Sequence, residues 1–301
     1  MSGRDLTASE LRILVAIDRT ESFSAAAREL GLTQSAVSHA VGGAERKIGA
    51  VLFRRDRGGA RPTAAGAAAI GHARRVLRLL DTMKQEARAA LAGEMTGTVR
   101  VAAFRGAAFN LLPGVLARFG RRHPRITVDV SVVRETGQGV PGQVRDGHAD
   151  LGIATLFAPV DDLVGKLLFD DPYVLVYPAG HPDPYSLPSI HWNERASSET
   201  ESWCARQTWL STSDIRVEDD GVAMSMVGHG LGTAVVPRMS FACAPPKVAM
   251  RQLGPDAPVR RVGYVITPEM LGSAAVRALI SELRAQIPAT ALAPVPERRP
   301  S

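Results

Sequence analysis

The stretch SFSAAARELGLTQSAVSHAV, residues 22–41, decides how the rest of the chain is read. It divides at Gly31 into two short helices. Ala25, Ala26 and Ala27 are small enough to let helix axes approach, Leu30 and Leu32 supply an apolar contact between the helices, and Gly31 tolerates the positive φ that ends the first. Thr33 stands where an N-cap oxygen belongs, so the second helix begins at Gln34. The pattern is a helix-turn-helix. Gln34, Ser35, Ser38 and His39 fall in the first two turns of its second helix, the end that enters a major groove, and their short or amide side chains suit base edges.

On the N-terminal side, residues 6–19 carry Leu11, Ile13, Leu14, Val15 and Ile17, a helix that packs beneath the pair as scaffold. On the C-terminal side, residues 51–53 read as a short strand, 54–61 as a basic turn with Gly58 and Gly59, and 61–63 as a returning strand. This is a wing. Arg54, Arg55, Arg57 and Arg61, with Thr33 at the helix start, are positioned for phosphates, contacts that hold a protein on a duplex without reading its sequence. Charge agrees: residues 1–100 hold 16 Lys and Arg against 10 Asp and Glu, which accounts for the whole net charge of +6. A basic N-terminal module on a neutral body is the footprint of a nucleic-acid-binding domain carried by something else. Taken alone, the same arginines describe a solvated hairpin.

Residues 64–91 contain no proline, and no glycine after Gly71. Ile70, Val76, Leu77, Leu80, Met83, Ala87 and Leu91 recur at three- and four-residue spacing, with Arg74, Arg75, Arg78 and Asp81 between them. Such a stripe on a helix between domains is expected to meet a copy of itself in a dimer.

The ordered set Phe23-Ser24, Ala26-Ala27, Leu30, Gln34, Ala36-Val37-Ser38, Glu45, Ile48-Gly49, Leu52-Phe53, Arg55 and Thr63 with Ala65-Gly66 resembles the LysR-type transcriptional regulators. The chain departs from that family's usual pattern at Gly42-Gly43, where each glycine costs about 1 kcal/mol relative to alanine in a helix, at Ala44, and at Pro62. The resemblance implies an α/β protein with an N-terminal winged helix-turn-helix over 1–63, a dimerising linker helix over 64–93, and an effector domain over 94–288. That domain would have the two lobes of a periplasmic-binding-protein fold, lobe I over about 97–161 and 262–288, lobe II over about 162–261. It further implies a homodimer that assembles into a tetramer on double-stranded promoter DNA, and a small-molecule effector held between the lobes.

The residues of the body bear their own reading. Strands over 98–104, 126–133 and 150–155 alternate with a helix over 111–119 and a helix end near 142–147, an order that implies a parallel sheet covered on both faces. Asp170-Asp171-Pro172 marks the crossing into the second lobe, 262–266 a strand returning to the first, and 274–287 a closing helix. Residues 181–221 are polar and weakly periodic, and no helix is assigned there. The prolines at 294, 296 and 300 point to a disordered tail over 289–301.

Ligands of open α/β sheets sit beyond the carboxyl ends of strands. The corresponding stretches are 103–109, 155–159, 211–213 and 217–221. Arg105, in a loop of small residues with Gly106, is the candidate clamp for a carboxylate, which makes an anionic effector the expectation; the alternative is an arginine facing solvent or paired with Asp150. Thr155 and Ser213 offer hydroxyls, and Val217 opens the acidic turn Glu218-Asp219-Asp220, read as a helix start rather than a metal site. His181 and His229 are given structural roles.

Other classes are disfavoured. GxxxxGK[ST], HExxH and GxSxG are absent, so no catalysis, metal or cofactor is expected. Cys204 and Cys243 lack metal-ligand spacing and read as free thiols. Residues 1–10 have no apolar signal core and no stretch of about twenty apolar residues occurs, so the expectation is a cytoplasmic protein without a membrane partner. An enzyme or solute-binding protein on the same lobes is the remote reading; a regulator that has lost effector sensing and acts constitutively is the nearer one. At 301 residues the chain holds two domains, with three as an upper bound.

Overall fold

The computed structural model describes residues 5–56, 59–92, 94–135, 137–156, 162–192, 198–241 and 244–291. Helix α1 (Ala8–Thr20) opens on a capping box: the Thr7 hydroxyl accepts the Glu10 N–H at 3.2 Å, and the Glu10 carboxylate accepts the Thr7 N–H at 2.8 Å. Helix α2 (Phe23–Leu30) is capped by Ser22 and stops at Gly31 with φ 67°. Helix α3 (Gln34–Ile48) starts from Thr33, whose Oγ1 accepts the Ala36 N–H. Leu14, Ile17, Ala26, Val37, Ala44 and Leu52 fill the core between them. Leu30 packs against that core, but Leu32 is 41% exposed and makes no interhelix contact of the kind expected. Its N–H closes the end of α2 on the Ala27 carbonyl, and its side chain turns to solvent.

The wing pairs β1 (Phe53–Asp56) with β2 (Gly59–Pro62), so most of the expected basic turn is strand. Helix α4 (Ala64–Ala92) follows and crosses the wing closely: a Cβ on Gly66 would stand 1.9 Å from the Leu52 carbonyl oxygen, which is why glycine follows Ala65. Ile70 is buried in the head, while Val76, Met83 and Leu91 remain exposed along the helix. Three arginines fasten α4 at both ends of its middle: Arg74 to Asp18 of α1, Arg75 to Glu269, and Arg78 to Asp150 at 3.4 Å.

The first part of the body runs β3 (Gly97–Ala103), α5 (Arg105–Asn110), α6 (Leu112–Arg122), β4 (Ile126–Val132), α7 (Gly139–Arg145) and β5 (Leu151–Thr155). Strand β6 (Val164–Pro178) leads into β7 (Ser189–Trp192), α8 (Ser198–Ala205), β8 (Thr212–Val217), α9 (Asp220–Gly228), β9 (Ala234–Pro237), α10 (Arg238–Phe241) and β10 (Val248–Gln252). The chain then returns through β11 (Val259–Ile266) to α11 (Ala274–Ala291). β3 lies parallel to β4 and β5, as expected, but β11 is antiparallel to both β5 and β6. The sheet is therefore mixed rather than wholly parallel. β11 has to run against β6 because it brings the chain back from the lobe to which β6 carried it.

β6 is one strand of 15 residues shared by both lobes. Up to Pro172 it pairs with β11, and from Tyr173 with β9 and β10. The crossing expected at Asp170-Asp171-Pro172 falls where the ladder changes partner within this one strand, and Arg260 faces Asp171 across it. Phe119, Leu111, Leu112, Leu151, Ile153 and Leu283 centre the core of lobe I. The closing helix extends to Ala291, past the expected start of the tail, and residues 292–301 lie outside the described residues.

Candidate nucleic-acid interface and interlobe site

Thr33, Gln34, Ser35 and His39 are exposed at the start of α3, and Ser38 is half-buried one turn in. The Thr33 cap fixes the helix start, so these side chains leave the head from one end. The sequence reading missed one element of this end: Ser24 Oγ on α2 donates to Gln34 Oε1 at 3.0 Å, leaving the Gln34 amide NH₂ directed outward as donor. The ten-residue separation carries no spacing signal.

On the wing, Arg54 lies directly opposite Arg61, and both are exposed without a hydrogen bond or ion pair among the described residues. Like charges facing across a ladder repel unless an anion sits between them. Arg55 occupies the alternate register position, opposite Ala60 on the side of buried Phe53; its side chain and Arg57 lie outside the described residues. The head's other cations include paired ones: Lys47 bridges Glu10 at 2.8 Å; burial, the largest single influence, pushes the Glu10 carboxyl up, and the Lys47 and Thr7 hydrogen bonds with the Lys47 charge together hold it below its ordinary value.

In the body, Arg105 is the first residue of the short helix α5 rather than part of a loop. Its guanidinium neither faces solvent alone nor meets Asp150. It crosses the interlobe junction to Asp219, with Asp220 at 3.4 Å, and lies 5.9 Å from the Phe109 ring. Asp150 instead accepts the Arg100 N–H at 2.8 Å and faces Arg78. A second bridge, Arg134 to Glu218 at 3.2 Å, runs parallel. The acidic turn is a helix start as read: Asp219 caps α9 by accepting the Val222 N–H.

Behind Arg105, Gly106 leaves room for a layered group: its Cβ would approach the Phe104 ring at 3.1 Å and Arg260 at 3.5 Å. Arg260 stacks 4.7 Å over the Phe104 ring and binds Asp171 at 2.8 Å, the two being 4% and 3% exposed; Asp171 also accepts the Met239 N–H. Thr155 donates both its N–H and its hydroxyl to Glu135, at 2.8 and 2.9 Å. Burial raises the Glu135 carboxyl above its ordinary value, opposed by the Thr155 donors and Arg260. Ser213 and Val217 stand elsewhere. Ser213 Oγ accepts the Ile215 N–H and borders a cavity inside lobe II, and Val217 packs on that lobe's core. Residues 157–159 and Cys243 fall outside the described residues; Cys204 is half-buried.

Residues 8–67 match the bacterial regulatory helix-turn-helix proteins of the lysR family, and residues 92–288 match the LysR substrate binding domain. The chain belongs to the LysR family. This LysR-type DNA-binding transcriptional regulator, with its effector-binding domain, is 33% identical to a probable HTH-type transcriptional regulator, LrrA, of Synechococcus elongatus, over 93% of this chain and 97% of that one. It is 30% identical to the small neutral protease regulatory protein of Streptomyces coelicolor, over 77% and 67%. Among solved structures it resembles a full-length OxyR variant from Pseudomonas aeruginosa, with TM-score 0.72 and 22% identity over 93% and 95% of the chains. It also resembles CbnR complexed with its target DNA, with TM-score 0.63 and 20% identity over 93% and 99%. At those identities the likeness is one of fold. Among the described residues, no helix is long and apolar enough to cross a membrane and no cluster of His, Cys, Asp and Glu could hold a metal ion.

Proposed function

We propose that this regulator binds double-stranded promoter DNA as a homodimer joined through α4, and as a tetramer of two such dimers, acting in the cytoplasm where the chromosome is and without catalysing a reaction. Gln34, Ser35, Ser38 and His39 read base edges. Thr33, Arg54, Arg55, Arg57 and Arg61 hold phosphates. The observation that carries this reading is the wing: two exposed arginines face each other with no ion pair among the described residues, beside the capped start of α3. Domain limits of 1–63, 64–93 and 94–288 follow the same reading, with the exposed apolar residues of α4 as the surface between copies.

The effector site we assign to the interlobe junction around Arg105, Gly106 and Thr155; Ser213 and Val217 stand apart from it in lobe II. Arg105 already holds carboxylates there, so an effector with a carboxylate competes with Asp219 for the same guanidinium. Such a ligand shifts the arrangement of lobes only by its differential affinity for the two states. Purified protein is to be mixed with fragmented genomic DNA at physiological salt and the retained fragments sequenced. Dyad-symmetric peaks are expected; diffuse recovery that vanishes with salt refutes sequence-specific reading. Thermal stabilisation by a carboxylate, lost in Arg105→Ala, is expected in a metabolite screen, whereas a regulator without effector sensing gives none.

A further inference from the structure

Lobe II carries a pocket of about 430 Å³ between α8 and its strands, partly open to solvent and separate from the interlobe junction. Interiors of folded domains are close-packed, and a space of this size is that of a ligand pocket. Tyr173, Ile190, Trp192, Leu210 and Val235 form an apolar wall contributed by β6, β7, β9 and the segment before β8. Helix α8 covers it with little to hold it down. Trp203 is its buried anchor, and further hollows of about 420 and 520 Å³ reach the same residue.

Two charges line the cavity. Glu201 comes from α8 and Arg216 from β8, and neither makes a hydrogen bond or ion pair with a described residue, so no bridge joins them. This contrasts with the interlobe junction, where Arg105 and Arg134 are each matched by an acid. A cation and an anion left apart on the rim of an apolar hollow are complementary to a molecule that carries both charges and an apolar body.

We propose that the cavity beneath α8 is a second small-molecule site of this chain and that it takes a zwitterion with an apolar side chain, an α-amino acid whose carboxylate meets Arg216, whose ammonium meets Glu201, and whose side chain lies against the Trp192 wall. The site stands whether or not the interlobe reading does. It gives the regulator two inputs from physically separate places in the effector domain.

All three tryptophans of the chain, Trp192, Trp203 and Trp209, lie in lobe II, so intrinsic fluorescence reports on this lobe alone. Full-length protein is to be titrated with L-leucine, L-isoleucine and L-phenylalanine, with isocaproate and isoamylamine as analogues bearing one charge each, following tryptophan emission and melting temperature. A saturable emission change with at least one amino acid is expected, with the single-charge analogues about tenfold weaker or more. Arg216→Ala and Glu201→Gln, both at exposed positions, are expected to weaken binding about tenfold while keeping the melting temperature of the free protein. The proposal is overturned by the absence of any saturable change up to millimolar ligand, by equal binding of a single-charge analogue, or by loss of binding in Arg105→Ala with retention in Arg216→Ala.

Discussion

On the wing, Arg54 stands across the ladder from Arg61 and neither has an ion pair among the described residues; in the body, Arg260 stands across the ladder from Asp171, and both are almost fully enclosed. The same residue type at the same kind of position does opposite work. Arg260 is neutralised from within and fastens the strand that both lobes share. Arg54 and Arg61 repel each other until something outside supplies the negative charge. The difference teaches that the net charge of +6 is not a diffuse property of the surface. Residues 1–63 carry +3 of it, 10 Lys and Arg against 7 Asp and Glu, and helix α4 the other +3, 5 against 2, while Arg105, Arg118, Arg122 and Arg134 in the body each face a carboxylate.

Removing one member of the enclosed pair is the strongest way to test the contrast. Arg260→Ala leaves Asp171 buried without its cation and is expected to cost about 3–5 kcal/mol of folding stability, read from denaturant unfolding; the double change Arg260→Met with Asp171→Leu should recover most of it. A loss below about 1 kcal/mol for the single variant would place Arg260 among ordinary surface pairs. On the wing the expectation reverses. Arg54→Ala combined with Arg61→Ala should lower the slope of log affinity against log salt by about two, weakening operator and random duplexes alike, with folding stability unchanged or slightly higher. A loss confined to the operator would make these residues base readers.

A smaller effect concerns the head's own stability. A Cβ on Gly42 would meet nothing within 4 Å, so Gly42→Ala is expected to raise the head's stability by up to about 1 kcal/mol, as a higher melting temperature with DNA preference intact. The least effect is a pH profile. Because burial raises the Glu135 carboxyl, the folded state keeps its proton where the unfolded chain has released it. Stability contributed by that proton is present below the ordinary glutamate range and is lost as pH rises through the raised value. Glu135→Gln should flatten that decline in a series of melting temperatures; parallel profiles for the two proteins would contradict it.

How much of this was readable in the sequence followed from how local the cause was. Gly31, Thr33 and the small residues 25–27 act within a few positions of themselves, and α2 stops and α3 starts where Gly31 and Thr33 dictate. Gly66 was visible as a motif, but its reason, the Leu52 carbonyl, is a tertiary contact. Helix α5 was hidden because Phe104 at its N-cap supplies no capping oxygen and the run of small residues has no period. Asp170-Asp171-Pro172 was legible as the lobe crossing, but its partner was not, because Arg260 lies 89 residues away. Arg105 was found by type and position, yet its partner was not: Asp219 is brought to it by the meeting of two lobes, 114 residues apart in sequence. Helix α8 left no trace because few of its residues are needed to hold it.

Helix α4 has 29 residues, so at 1.5 Å rise it is a rod of about 43 Å. Fastened to the body by Arg75 and Arg78 and to the head by Arg74 and Gly66, it joins the two across a span of twelve residues, Gly66 to Arg78, about 18 Å of helix. A tilt of about eleven degrees across that span moves its end by roughly 3.4 Å, the rise of one base pair. A turn of the body's grip on α4 by that amount is enough to move a reading head out of register with its operator.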